Sequence, residues 1–254
     1  MEEIKKNLLI IFIFMFHIFN SQIKININVV ENTHYEIRNE KRYKLLIKIT
    51  NESTQKYILP IDITGFKNYM SEEPCSNFNL IDFYPDLGFL PMFKNEITYI
   101  EGSGINYPHL VNNKRELKKY QNKINRYKKN KSIKLNKWIK DNKLNKVSKE
   151  WAEINQYLLS NLLTLNSEQS FSFEIYFNPL QYNYVKLYGS SYSYPIESNK
   201  TYQFSLQLCI EKNIYQYLTE DQKDKFKDYK FFNGKIMSNE IDFKMVHNYE
   251  FINK

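Results

Sequence analysis

The residues of this chain best suited to nucleophilic chemistry lie in the segment EGSGINYPH, residues 101–109. A serine hydrolase needs its serine on a tight turn with a base within reach, and Gly-x-Ser-x-Gly marks such a turn. Gly102, Ser103 and Gly104 supply part of this pattern, and His109 follows nearby. The full pentapeptide is not there, so we interpret the segment as a loop.

The residue types that bind metals are scattered along the chain. Zinc sites use ligands one helical turn apart or closely spaced cysteine pairs. His34, His109 and His247 are far apart, and neither Cys75 nor Cys209 has a cysteine neighbour. We therefore predict no metal and no other cofactor, and a site assembled from distant residues is the alternative.

Paired carboxylates could serve a glycosidase or hold calcium. Asp82 and Asp86 are four residues apart in DFYPDLG. That spacing lacks the alternating oxygen ligands of a calcium loop, so it favours a solvated turn.

Tyrosine rings could stack on sugars in the segment YNYVKLYGSSYSYP, residues 182–195. Five tyrosines lie in it: Tyr182, Tyr184, Tyr188, Tyr192 and Tyr194. Because the chain has 21 tyrosines in all, an edge strand with its loop is the simpler interpretation.

Cys75 and Cys209 are the two cysteines of the chain. A disulfide between them is one option, because disulfides persist in exported proteins. Cys209 lies in TYQFSLQLCI, on the strand face opposite Tyr202 and Phe204. Since nothing in the sequence brings the two cysteines together, we expect two free thiols and keep the bridge as the alternative.

Positive charge is concentrated between Asn113 and Glu150, where fifteen lysines and arginines face three acids. Lysines on helices can neutralise phosphates or lipid headgroups. With only Arg115 and Arg126 in this segment, base-specific contacts to nucleic acid are not expected. The simpler interpretation is a solvated lysine-rich face, because AT-rich coding explains much of the lysine excess. The alternative is contact with an anionic surface through Lys118, Lys119, Lys128, Lys129 and Lys131.

The first 21 residues have the organisation of a signal peptide. Lys5 and Lys6 precede an apolar run from Leu8 to Phe19, and Ser21 is a small residue at the expected cleavage point. The run is too short to span a bilayer comfortably. We expect export to the periplasm or the extracellular space, with a retained N-terminal anchor as the alternative. No later stretch of the sequence is apolar enough to cross a membrane.

Two helical stripes interrupt an otherwise strand-like sequence. Leu117, Tyr120, Ile124 and Tyr127 form the first, and the second comprises Leu144, Val147, Trp151, Ile154, Leu158 and Leu162. Their spacing of three and four residues is that of amphipathic helices. We predict a basic helical hairpin over residues 112–164, with KKNKSIKLNK interrupting it and with Trp151 buried.

Around this insertion, residues 22–111 and 165–254 alternate with a period of two, as strands do. YKLLIKITNESTQKYILPID, residues 43–62, predicts a hairpin with a turn at 51–54. Thr219 and Gln222 predict a capping box, and Asn233-Gly234 predicts a turn. The chain is therefore predicted to be mainly β, an antiparallel sandwich with an α-helical insertion.

The order of YKLLIKITNESTQKYILP, SFSFEIYFNP, NKTYQFSLQL and NGKIMSNEIDF is similar to that in uncharacterised exported proteins of flavobacteria. The leader ending in Asn-Ser-Gln resembles those of Bacteroidota. This resemblance implies an immunoglobulin-like β-sandwich and no activity. The strand-Asn-x-Ser-strand start more distantly resembles the intracellular proteinase inhibitor family of bacilli, which implies inhibition of a proteinase.

From these observations we predict a non-catalytic exported binding protein whose ligand is a protein or a cell-surface glycan. A hydrolase with a site assembled from distant residues is one alternative. Binding of an anionic surface through the lysine-rich helices is the other.

Overall fold

The computed structural model of the chain describes residues 22–35, 40–71, 86–106, 113–180, 182–185, 190–197 and 200–245. Some predictions concern other parts of the chain. The signal peptide at 1–21, Cys75, Asp82, His109, Tyr188 and His247 lie outside the described residues.

The strands are β1 Ile23–Tyr35, β2 Glu40–Asn51, β3 Tyr57–Pro60, β4 Leu90–Asn95, β5 Thr98–Ile100, β6 Ser103–Asn106, β7 Leu162–Leu165, β8 Ser170–Phe177, β9 Tyr182–Val185, β10 Ser190–Ser193, β11 Thr201–Ile210, β12 Lys230–Phe231, β13 Gly234–Met237 and β14 Ile241–Lys244. The α-helices are α1 Lys114–Asp141, α2 Lys149–Ser160 and α3 Glu220–Asp224, with a 3-10 helix at Lys212–Tyr217.

The described strands form four sheets. The first has the order β1-β2-β8, and the second the order β13-β11-β4-β5, with β14 also paired to β11. Two smaller sheets have the orders β12-β3-β7 and β6-β10-β9. All of these pairs are antiparallel except β12 with β3. The prediction of a mainly β chain with antiparallel sheets is confirmed.

The core lies where the first two sheets pack face to face. The ring of Phe177 on β8 lies 6.0 Å from Phe93 on β4 and 5.8 Å from Phe204 on β11. Tyr43 on β2 reaches Phe243 on β14 at 4.6 Å. Aromatic residues at alternate strand positions supply large apolar areas to this contact, so they are a main source of its stability.

The hairpin predicted at residues 43–62 is wrong. β2 pairs with β1 and β8, whereas β3 pairs with β7 and β12, so the two strands belong to different sheets. Asn51 explains the change of sheet. Its amide is fully buried and donates to the carbonyl oxygens of Gln55 and Asn166, at 2.7 and 2.8 Å. The predicted turn residue therefore links the corner to β7.

β4 is not predicted from the sequence. Its residues Leu90, Pro91, Met92 and Phe93 are all buried, so the segment has no polar face and no alternation. Pro91 has no N–H to donate, but its carbonyl accepts a hydrogen bond from Tyr194 Oη at 2.7 Å. A strand that is buried on both faces appears in the sequence as a short apolar run. Periodicity alone cannot tell such a run from a buried helix segment.

The two long helices lie between β6 and β7 and differ from the prediction in their connection. α1 runs without a break through KKNKSIKLNK, and the connection to α2 is at residues 142–148. Lys131 stands at an inward position between Tyr127 and Leu135, so a charged residue interrupts the apolar stripe in the sequence. Its stem can cover apolar surface while the ammonium pairs with Glu153 of α2.

The second stripe also needs correction. Val147 is exposed in the connection, and Leu162 belongs to β7 because α2 ends at Ser160. Trp151 is partly buried rather than buried, since it stands in the first turn of α2 and packs at the edge of a small apolar cluster. No described helix has the length and hydropathy of a membrane span.

Candidate functional site: the basic face of the long helix

The serine of the Gly102-Ser103-Gly104 segment lies beside another serine. Ser103 begins β6, and its hydroxyl lies 3.5 Å from that of Ser193 on β10. Gly102 is buried, and its carbonyl accepts a hydrogen bond from Asn68 Nδ2 at 3.0 Å. The described part of the segment is therefore a strand preceded by a turn, and the hydrogen bond from Asn68 anchors this turn. Within the described residues, no three His, Cys, Asp or Glu side chains are grouped as metal ligands.

Asp86 is buried, with 6% of its surface exposed, so its prediction as part of a solvated turn is wrong. It lies near a second buried carboxylate, Asp62, which accepts a hydrogen bond of 2.8 Å from Tyr157 Oη. Thr64 donates to the same carboxylate through its backbone and its hydroxyl. Burial, followed by the charge of Asp62, raises the pKa of Tyr157. The hydroxyl stays protonated, so the network fixes α2 to the end of β3.

The tyrosine segment is partly core. Tyr194 is buried and its hydroxyl accepts a hydrogen bond from the backbone N–H of Tyr69. Tyr192 is partly buried against the same core, and Tyr182 and Tyr184 lie on β9. Tyr194 is therefore not an exposed ring for stacking on a sugar.

Cys209 lies in a disulfide, so the expectation of a free thiol does not hold for this residue. It is buried with Leu90 and Met92 on the outer face of the second sheet. The cysteine bonded to Cys209 is not among the described residues, and Cys75 is the one other cysteine in the sequence.

A pocket of about 210 Å³ lies between residues 67–71 and this outer face. The rings of Tyr69 and Tyr99 meet edge to face beside it, with centroids 6.0 Å apart. Leu90 and Met92 give it an apolar floor. None of the residues considered above as candidates for chemistry lines this pocket.

The predicted charge contacts lie on α1, which a buried amide holds in place. Asn155 of α2 is fully buried and accepts a hydrogen bond from the Trp138 indole of α1 at 3.1 Å. Its Nδ2 donates to the Tyr217 carbonyl at 2.6 Å and to Gln222 Oε1 at 2.7 Å. Gln222 also closes the predicted capping box of α3 with Thr219. One side chain therefore joins α1, α2, the 3-10 helix and α3.

Close packing supports the same contact. Ala152, the single alanine of the sequence, is fully buried between the helices with Leu135 and Leu144. A small residue lets two helices approach closely. Asn113 caps the start of α1 and Ser148 caps the start of α2, each accepting from a backbone N–H three residues ahead. Both helices are thus defined at their N-termini and tied together at their core.

The outward side of α1 carries a row of cations, which we call the basic face. At 3.6 residues per turn, its members are opposite the inward positions Tyr127, Lys131 and Trp138. All of them are exposed. The basic face comprises Arg115, Lys118, Lys119, Arg126, Lys129, Lys137 and Lys140.

The five lysines named from the sequence lie on different sides of α1. Lys118, Lys119 and Lys129 belong to the basic face, and Lys128 is exposed on a flank of α1. Lys131 does not contribute to it, because it is inward and paired with Glu153. Four of the five lysines are therefore exposed on α1, and Lys131 is on the inward side.

The basic face is uncompensated. α1 has twelve lysines and arginines against Glu116 and Asp141, and neither acid falls among the positions of the basic face. No ion pair of a basic-face residue is found in the part of the chain that the structure describes. Like charges at i,i+4, such as Arg115 with Lys119, repel and destabilise an isolated helix. A bound polyanion would relieve this repulsion.

Ile133 is the residue of this face that the sequence analysis missed. It is 56% exposed and stands between Lys129 and Lys137, one turn away on either side. The sequence signal was present, since an outward isoleucine follows from extending the helical period through KKNKSIKLNK. The sequence-based prediction places a break in the helix at that segment.

The arrangement can bind negative charge over a long, narrow surface. Arg115 and Lys140 are 25 residues apart, which is roughly 38 Å along a helix.

No protein-family model, no curated protein and no solved structure matches the chain.

Proposed function

We propose that this chain is a non-catalytic binding protein that attaches to a polyanionic surface through the basic face of α1. The observation that carries the proposal is the seven exposed cations on one side of a helix whose other side is tied by Trp138 and Asn155 to α2, the 3-10 helix and α3. A rigidly held row of charges loses little conformational freedom on binding, which favours affinity.

The contact would work mainly by charge. Lysine ammonium groups neutralise phosphates or carboxylates without requiring one geometry, whereas the planar guanidinium of arginine binds them with a more specific, bidentate geometry. Five of the seven cations of the basic face are lysines. The proposal therefore names a class of partner with dense negative charge.

We further propose that the chain is exported, with an immunoglobulin-like β-sandwich as the frame that presents α1. The signal-like residues 1–21 support export, and the face-to-face packing of the first two sheets supports the frame. The periplasm and the extracellular space both offer anionic lipids and polymers. A protein or glycan ligand bound elsewhere on the sheets is the second candidate, and the pocket beside Tyr69 and Tyr99 favours it.

The test is binding of the purified protein to immobilised inorganic polyphosphate. A basic-face variant carries four substitutions: Lys118→Gln, Lys129→Gln, Lys137→Gln and Lys140→Gln. We expect wild type to bind and the variant to lose at least about 30-fold in affinity, because each removed phosphate contact weakens electrostatic binding.

A matched control removes the same charge from exposed lysines outside α1. It carries Lys48→Gln, Lys212→Gln, Lys227→Gln and Lys244→Gln. The control should retain nearly all of the affinity. Equal losses in the two variants would show that net charge acts without a site, and failure of wild type to bind would refute the proposal.

A further inference from the structure

We propose that the polyanionic surface is a phospholipid bilayer with acidic headgroups, on which α1 lies flat. This inference rests on the proposed function and names the partner of its basic face. Three observations carry it: the shape of the face, the exposed isoleucine between its lysines and the position of the aromatic rings.

The shape of the basic face suits a plane. Its cations run along one side of a single unbroken helix for roughly 38 Å, from Arg115 to Lys140. All of them can therefore meet a sheet of headgroups at once. The neighbouring acid Glu153 pairs with Lys131 on the inward side, so it is kept away from that contact.

Ile133 adds a contact that only a lipid surface can receive. It is 56% exposed, and Arg126, Lys129, Lys137 and Lys140 surround it along the stripe. When the surrounding cations meet headgroups, this side chain enters the boundary between headgroups and acyl chains. A soluble polyanion offers no apolar medium, so there the isoleucine would stay in water.

The aromatic residues of α1 point away from nucleic acids and glycans as partners. Tyr120, Tyr127 and Trp138 are partly buried on the inward side. The basic face therefore presents no ring on which a base or a sugar could stack. Its two arginines against five lysines also disfavour recognition of base edges.

The experiment compares two kinds of binding. Vesicle binding is measured by co-sedimentation, and polyphosphate binding is measured by retention on the immobilised polymer. Vesicles contain phosphatidylcholine alone or with about 30% phosphatidylglycerol, an acidic fraction large enough to create a negative surface potential. Wild type should bind only the acidic vesicles. Ile133→Ser should weaken that binding about five-fold, because it removes apolar burial, and should leave polyphosphate binding unchanged.

Ile97→Ser is the matched control, since Ile97 is 84% exposed but lies in the β4–β5 turn. It should not alter vesicle binding. Wild type that binds polyphosphate but not acidic vesicles would overturn this inference and leave the proposed function standing. Equal vesicle binding by Ile133→Ser and wild type would also overturn it, as would tighter binding to duplex DNA at equal phosphate concentration. Binding to neither polyanion would refute the proposed function itself.

Discussion

The indole Nε1 of Trp138 on α1 donates a hydrogen bond of 3.1 Å to Oδ1 of Asn155 on α2. Asn155 is fully buried and also donates to the carbonyl of Tyr217 and to the side chain of Gln222. This amide therefore helps to set the orientation of α1, and with it the direction of the basic face, together with the packing of Ala152 between the helices. Buried polar networks of this kind specify an arrangement when every member is satisfied.

Replacing Asn155 by alanine should strongly destabilise the protein. The change leaves the Trp138 indole, the Tyr217 carbonyl and the Gln222 amide without their partner, and each buried unsatisfied group is costly. We expect the free energy of unfolding to fall by about 3 kcal/mol, measured by urea denaturation. Asn125→Ala on the exposed side of α1 is the control and should change it by less than about 0.5 kcal/mol. Equal effects of the two substitutions would contradict the assigned role.

Enlarging Ala152 should separate the helices. The residue is fully buried against Leu135 and Leu144, so Ala152→Leu has no room. We expect a loss of about 2 kcal/mol in unfolding free energy from overpacking and faster trypsin cleavage within α1. Ala152→Ser, which is close in size, should have a smaller effect. An Ala152→Leu variant as stable and as protease-resistant as wild type would show that the helices are not closely packed here.

The stability of the protein should decline in alkaline solution. Burial raises the pKa of Tyr157, with a further contribution from Asp62, and burial raises the pKa of Tyr215. The unfolded chain therefore loses these protons first, so the stabilisation is complete below about pH 10 and decreases above it. Tyr157→Phe and Tyr215→Phe should each flatten the fall in unfolding free energy between about pH 9 and 11. The exposed Tyr99→Phe is the control. An unchanged slope in both buried-site variants would contradict this explanation.

The disulfide of Cys209 should join it to Cys75. Cys209 is disulfide-bonded, and the sequence has just these two cysteines. Peptide mass spectrometry of the unreduced protein should therefore detect one cross-linked pair. The loop between the two residues is long, so reduction should lower the free energy of unfolding by about 5 kcal/mol in the chain-entropy description. Two alkylated thiols in the unfolded, unreduced monomer would exclude the bridge.

The sequence predicts the strands best where one face is apolar and the other is exposed to solvent. Phe171, Phe173, Ile175 and Phe177 all turn toward the core, as the alternation of β8 indicates. β4 was missed because both of its faces are covered. The assignment of β2 and β3 to different sheets could not be predicted, because it depends on the buried amide of Asn51 rather than on the pattern of either strand.

The candidate site was predictable as a charged helix but not as an oriented surface. The excess of lysine identified the segment, and Lys118, Lys119 and Lys129 stand on the basic face. Lys131 was misplaced because a lysine at an inward position resembles a break in an apolar stripe. The role of Asn155 could not be predicted, since its partners Tyr217 and Gln222 lie more than sixty residues away.

The most direct test of the central claim is the salt dependence of polyphosphate binding. For wild type, the logarithm of the association constant should fall steeply with the logarithm of salt concentration. Removing Lys118, Lys129, Lys137 and Lys140 should reduce that slope by roughly three, because counterion release scales with the number of contacts. The matched control with four substitutions outside α1 should keep the wild-type slope. Identical slopes for the basic-face variant and the control would contradict the claim that this face is the binding site.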